Sequence, residues 1–243
     1  MKGEERTYRR LSARPGLTGF RVVVKETDLF VQAALDLADD TRELVLLHRG
    51  HLESYISHNP DFFTTLDPWP LTGPAAPVVR LMAEAGRAAG VGPMAAVAGA
   101  MAQLVGEGLL GRSREVIVEN GGDIWAKVLG PFTVAVHAGK SPLSGKVGLK
   151  VDGQGEAVSI CTSSATVGHS LSLGKADAAV VVARSAALAD ACATALGNRV
   201  KDAGTLAPAL EFVSGIPYVL GAVAIIGDKM AAWGGIEFTP IGR

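Results

Sequence analysis

Residues 159 to 177 read SICTSSATVGHSLSLGKAD, and they crowd a thiol, several hydroxyls, an imidazole, an ammonium and a carboxylate among glycines. Cys161 and His169, eight residues apart, are a candidate nucleophile and base for a small-molecule transferase or hydrolase, although the partners of such a dyad meet in space and spacing does not decide it. Gly168 and Gly174-Lys175 imitate a phosphate-cradling loop. Five residues separate those glycines instead of four, however, and Ala176 stands where that loop needs a metal-binding hydroxyl. Asp190 and Thr194 are spaced to share one face of a helix, and a carboxylate with a hydroxyl suits a hard cation such as magnesium, with waters and ligand phosphates completing the oxygen shell. The alternative is that Asp190 answers the helix dipole from the first turn while Thr194 packs through its methyl group.

Three further groups are open to two readings. In NGGD, residues 120 to 123, Gly121 and Gly122 let backbone approach a flat ligand with Asp123 set at a strand end, or they form a plain hairpin turn. In GVGPM, residues 90 to 94, Gly92 opens a helix whose free N–H groups could face an anion such as a pyrophosphate. His48 and His51, with Glu43 and Glu53 nearby, have a spacing that could chelate a metal, although such groupings are usually a solvated helical face.

The elements that must position these groups alternate along the chain. Residues 19 to 25 (GFRVVVK) have the β-branched pattern of a strand, and residues 40 to 57 repeat apolar positions at helical spacing behind two aspartates. Pro60, Pro68, Pro70, Pro74 and Pro77 then preclude a regular element over the linker between them. An Ala-rich helical region from about Val78 to Leu110 is divided in two by Gly90, Gly92 and Pro93. EVIVENGGDIWAKV and FTVAVHAG are β-rich, the first with a hairpin signal. EAVSICTSS and AAVVVARS follow as strands, AALADACATALGN as a helix, and YVLGAVAIIGDKM and GIEFTPI as strands.

Composition sets the outer limits. The 243 residues suffice for a core without a disulfide or metal staple. Aromatics are only 5%, so the interior must be built from Ala, Val, Leu and Ile. A net charge of -1 gives no field for nucleic acid, although Lys2, Arg6, Arg9, Arg10 and Arg14 make a basic tail. No run reaches the roughly 18 apolar residues a membrane helix requires, and no apolar leader precedes the first strand. With only Cys161 and Cys192 as thiols, a reducing, cytoplasmic compartment is expected, with neither nucleic acid nor membrane as partner.

Taken in order, the Gly-rich helix start, ENGGDI, TSS, a following histidine, VVVA and ADACATAL resemble the ApbE superfamily, best known for FAD:protein FMN transferases. The likeness covers roughly residues 85 to 200. ENGGDIW with CTSSATVGHSLSLGKADAAVVVA is most similar to a compact, signal-less branch of that superfamily. The resemblance implies one α+β domain over 1–243, mixed β-sheets with flanking helices, its core at 76–243 and residues 1–75 outside the clear likeness.

It also implies roles. The Asp and Thr of the family's AD-x-x-x-T helix hold magnesium, corresponding to Asp190 and Thr194. Its GGD turn and TS segment line the FAD pocket, corresponding to Gly121, Gly122, Asp123, Thr162 and Ser163, and His169 matches its histidine. FAD or FMN with magnesium is then the implied ligand, and a small molecule or protein the implied acceptor of a transferred flavin. Three departures stand beside these matches: PMAAVAGA where the family has a lysine-glycine-tyrosine element, Glu119 where N-x-G-G-D has its asparagine, with Asn120 one place later, and no proline after His169. They leave open an accessory ligand-binding role linked to anaerobic sulfur-amino-acid metabolism, as the branch suggests.

Overall fold

The computed structural model of the chain describes residues 14–165 and 173–241. An antiparallel hairpin of β1 (Thr18–Val24) and β2 (Thr27–Ala33) leads into the long helix α1 (Ala38–His58). The proline-rich linker holds only the one-turn α2 (Asp61–Thr64). Next come α3 (Pro77–Ala89), a 3-10 turn over Pro93–Ala96, and α4 (Val97–Leu109). Gly90 caps α3 at φ 69, a left-handed conformation, and the chain bends by 105° before running on into α4.

The hairpin of β3 (Val116–Asn120) and β4 (Asp123–Lys127) turns on Gly121 at φ 69 and Gly122 at φ 110. Two successive positive φ values are what a primed two-residue turn demands, so both glycines are required there. The chain then forms β5 (Phe132–Ala135), β6 (Val147–Val151), β7 (Val158–Ser163), β8 (Ala178–Ala183), α5 (Ala186–Arg199), α6 (Leu206–Ser214), β9 (Val219–Ile226), β10 (Lys229–Gly234) and β11 (Glu237–Pro240).

Eight strands form one sheet in the order β1-β2-β3-β4-β7-β8-β9-β10, and β11-β6-β5 form a second. This is the expected α+β fold of sheets with flanking helices, its described pairings antiparallel throughout. Alternation along each strand sorts the large sheet's side chains between two cores. Trp125, Cys161, Ala179, Val181 and Ala222 join the helices, while Ile160, Val180, Val182, Val223 and Ile225 pack under the small sheet. Alanine and glycine dominate the helical side because the helices lie close to the strands. At Gly106 of α4 a Cβ would sit 2.1 Å from the ring of buried Trp125. No helix among the described residues is long and apolar enough to cross a membrane.

Candidate functional site

Asp123 is the first residue of β4 and points with Trp125 toward the helices, which buries its carboxylate. Its Oδ1 accepts the backbone N–H of Thr162 across the strand gap at 3.1 Å. Burial, with the neighbouring charge of Glu119 adding to it, pushes the Asp123 carboxyl up to about 7, against the hydrogen bonds from Thr162 and Cys161 that favour its ionised form. Cys161, on the same face of β7, has its single thiol proton within reach of two acceptors, the Asp123 carboxylate and the Ala186 carbonyl at 3.5 Å.

Ala186 opens α5, whose N-terminus is capped by Ser185 Oγ accepting the Leu188 N–H at 3.3 Å. One turn on, Asp190 Oδ2 accepts the N–H of Gly99 at 2.9 Å, and the Ala98 N–H binds the same carboxylate. Asp190 therefore caps α4 from a different helix, answering amides that the start of any helix leaves unpaired. Burial raises its carboxyl well above the usual range, and the charge of Asp123 raises it further. Gly99 makes this approach possible: a Cβ there would lie 2.2 Å from the Ala186 carbonyl oxygen and 2.9 Å from Asp190 Cβ.

The turn before Asp123 is held from two sides. Glu119, buried, accepts the Gly122 N–H at 2.8 Å, and Asn120 donates from Nδ2 to the Ala98 carbonyl at 3.1 Å. Asp123 and Asp190 thus meet between the Gly121–Gly122 turn, α4 and α5, without an ion pair to a lysine or arginine among the described residues. Open space lies around both turn glycines.

The other sequence candidates fall as follows. Thr194, half-buried, lies one turn beyond Asp190 on the same helix. Thr162 pairs with Val180 and turns its side chain to the small-sheet face, so only its main chain reaches Asp123. Ser163 returns to the helical face but sits near Gly197, about 10 Å along α5 from Asp190 at the helical rise per residue. Gly92 does not open α4. It precedes the 3-10 turn, where a Cβ would fall 2.0 Å from the Thr65 carbonyl oxygen, so close packing explains that glycine.

Cys161 is wholly buried, and burial with two neighbouring carboxylates holds it well above its usual pKa as a neutral thiol. A nucleophile needs thiolate and access, so the geometry gives Cys161 a hydrogen-bonding place in the core. His169 lies outside the described residues. His48 and His51 face along α1 with Glu53 tied to Lys25 and Arg49, and no cluster of three metal-ligating side chains exists among the described residues.

Sequence reasoning missed Asn120 and Glu119 as clamps, the thiol bond of Cys161 to Asp123, and the capping of α4 by Asp190. The available signal was Gly99, a glycine within a helical run that only a close neighbour explains.

The family model described as AbpE bacteria matches residues 9–212. The chain belongs to that family. A UPF0280 protein of Methanocella arvoryzae is 47% identical to this AbpE-family chain over 187 residues, 76% of each chain. A UPF0280 protein of Methanocaldococcus jannaschii is 39% identical over 227 residues, 89% of this chain and 90% of that one. Among solved structures, the apo flavinyl transferase ApbE of Pseudomonas stutzeri superposes with a TM-score of 0.61 at 16% identity, covering 89% of this chain and 93% of that chain. The ApbE protein of Thermotoga maritima does so with a TM-score of 0.52 at 14% identity, covering 88% and 96%. At such identities these structures establish an ApbE fold, as the sequence motifs led one to expect.

Proposed function

We propose that this AbpE-family chain binds a flavin nucleotide, FAD or FMN, together with magnesium, between the Gly121–Gly122 turn, the start of α4 and α5. The observation that carries the proposal is the meeting of Asp123 and Asp190: one buried and one partly buried carboxylate from distant parts of the chain, each pushed up in pKa, with no lysine or arginine among the described residues to balance them. A protein keeps such a pair where something cationic comes to it.

The donor set fits magnesium. That ion prefers oxygen, uses one or two carboxylates, and leaves its remaining positions to water and ligand phosphate. Asp123, Asp190 and Thr194 are the residues that would hold it. Magnesium, when bound, neutralises charge on a pyrophosphate. The chain's own contribution is placement: Asp190 is fixed by α4, Asp123 by the Thr162 amide, and the open turn glycines leave room for a flat ring or a sugar-phosphate beside them. Transfer of the FMN moiety to a small-molecule or protein acceptor belongs to the same proposal, and the solved ApbE transferases with this fold support it. The two free, buried cysteines support a reducing, cytoplasmic setting.

The deciding experiment titrates the purified protein with FAD and with FMN, in magnesium and in EDTA, following flavin fluorescence. Magnesium-dependent binding is expected. Absence of binding for both nucleotides rejects the flavin ligand, and binding indifferent to magnesium rejects the role of Asp190 and Thr194.

A further inference from the structure

Asp123 on β4 and Asp190 on α5 are also joined through the first turn of α4, which is gripped from both sides. On one side Asp190 Oδ2 accepts the Gly99 N–H at 2.9 Å. On the other, Asn120 Nδ2 donates to the carbonyl of the adjacent residue, Ala98, at 3.1 Å. Gly99 sits so tightly against α5 that a Cβ would lie 2.2 Å from the Ala186 carbonyl, so this turn cannot shift toward Asp190. Asn120 in turn is the cross-strand partner of Asp123 across the two-glycine turn, so any movement of Asn120 is passed to Asp123.

We propose that Asn120 is a positioning residue for the magnesium–nucleotide site: it pins the Gly121–Gly122 turn to the same turn of α4 that Asp190 caps, and so helps hold Asp123 in place relative to Asp190. The inference rests on the ligand reading above. The role proposed for Asn120 is indirect, through its bond to the Ala98 carbonyl. Its amide holds the backbone that carries one carboxylate against the backbone that holds the other. The Ala98 carbonyl has a second lone pair for its place in the helix, so the Asn120 bond is an addition to α4 that the helix does not need for itself. A side chain with that geometry has its effect on the spacing of the two acids.

The test compares wild type with Asn120→Ala in three measurements on the full chain: magnesium half-saturation of FAD binding by flavin fluorescence, FAD affinity in EDTA, and the thermal midpoint. Loss of a group that orients metal ligands typically weakens metal affinity by about tenfold or more, so half-saturation should rise by that factor. FAD affinity in EDTA should fall far less than magnesium half-saturation rises, and the midpoint should drop only by the about 2–4 °C that loss of one hydrogen bond brings, whereas a merely structural role would worsen all three in parallel. Calorimetric titration with magnesium alone should show the same loss. Unchanged half-saturation in the variant overturns the proposal, as does a parallel loss of all three quantities. Should Asn120→Ala fail to fold, Asn120→Leu, of similar size but without a donor, is judged by the same criteria. Wild type that binds FAD without regard to magnesium overturns the ligand reading itself, a result distinguishable from both.

Discussion

Asp190 carries two demands on one carboxylate. It caps α4 through Gly99 and Ala98, and it faces Asp123 at the place proposed for a cation. The two demands separate under substitution. Asp190→Asn keeps an oxygen for the Gly99 N–H and removes the charge, so it should abolish magnesium-dependent flavin binding while leaving the fold at least as stable in EDTA. Asp190→Ala also removes the cap and should cost about 1 kcal/mol more, measured by urea denaturation. Asp123 adds a pH signature. Its carboxyl is raised from 3.8 to about 7 by burial, so the native chain holds a proton there that the unfolded chain has released. The resulting stability is fully present below the unfolded value and is lost as pH rises toward and through about 7, at up to about 1.4 kcal/mol per pH unit. In EDTA, denaturation of wild type between about pH 5 and 8 should therefore show falling stability that Asp123→Asn makes shallower, the raised carboxyl of Asp190 supplying the remainder. A profile identical in the two proteins would mean that Asp123 titrates as a solvated acid.

At the scale of elements, the punctuation of the sequence was legible and the contacts between elements were not. Pro and Gly at 90 to 93 divide α3 from α4 where expected, and Asn-Gly-Gly-Asp marks the β3–β4 turn because only glycine takes its two positive φ values cheaply. The strands β2 and β6 and the helix α6 carry no such marks. TDLFVQA and VGLKV mix charge or glycine into short runs, and Pro208 sits inside LAPALEFVS, in the first turn where a missing N–H costs little. The site shows the same division. Asp190 and Thr194 share a helix face by spacing and Asp123 follows the turn glycines, whereas the bond from Asp190 to Gly99 spans so much chain that no periodicity encodes it. Helical glycines are the trace such contacts leave. Gly106 gives a prediction at this scale: Ala gains up to about 1 kcal/mol in helix propensity over Gly. Its Cβ, however, would lie 2.1 Å from the ring of Trp125, which is only 1% exposed and cannot yield. Overpacking of this kind costs about 1–3 kcal/mol, so Gly106→Ala should lower the denaturation midpoint. A neutral or raised midpoint would show that the α4–β4 contact is looser than described.

For the whole molecule, the large sheet acts as a partition. Its helical face carries Asp123, Cys161 and the helices that hold Asp190, and its other face packs Ile160, Val180, Val182, Val223 and Ile225 under β5, β6 and β11. A ligand bridging the Gly121–Gly122 turn, α4 and α5 ties together three segments distant in sequence, so its binding energy should appear as resistance to local opening in those segments. Hydrogen exchange offers the map. With FAD and magnesium at about 100 times Kd, the ligand can add at most about 2.7 kcal/mol of protection. The Ala98, Gly99 and Gly122 amides should slow toward that limit, because each is bonded to a group that binding would fix: the Asp190 carboxylate for the first two and Glu119 for the third. Amides of β6 and β11, paired with each other on the far side of the partition, should change little unless the whole chain unfolds to exchange. Protection spread evenly over both faces would instead indicate that the two cores open as one unit, and protection confined to the small sheet would move the ligand to the opposite side of the molecule.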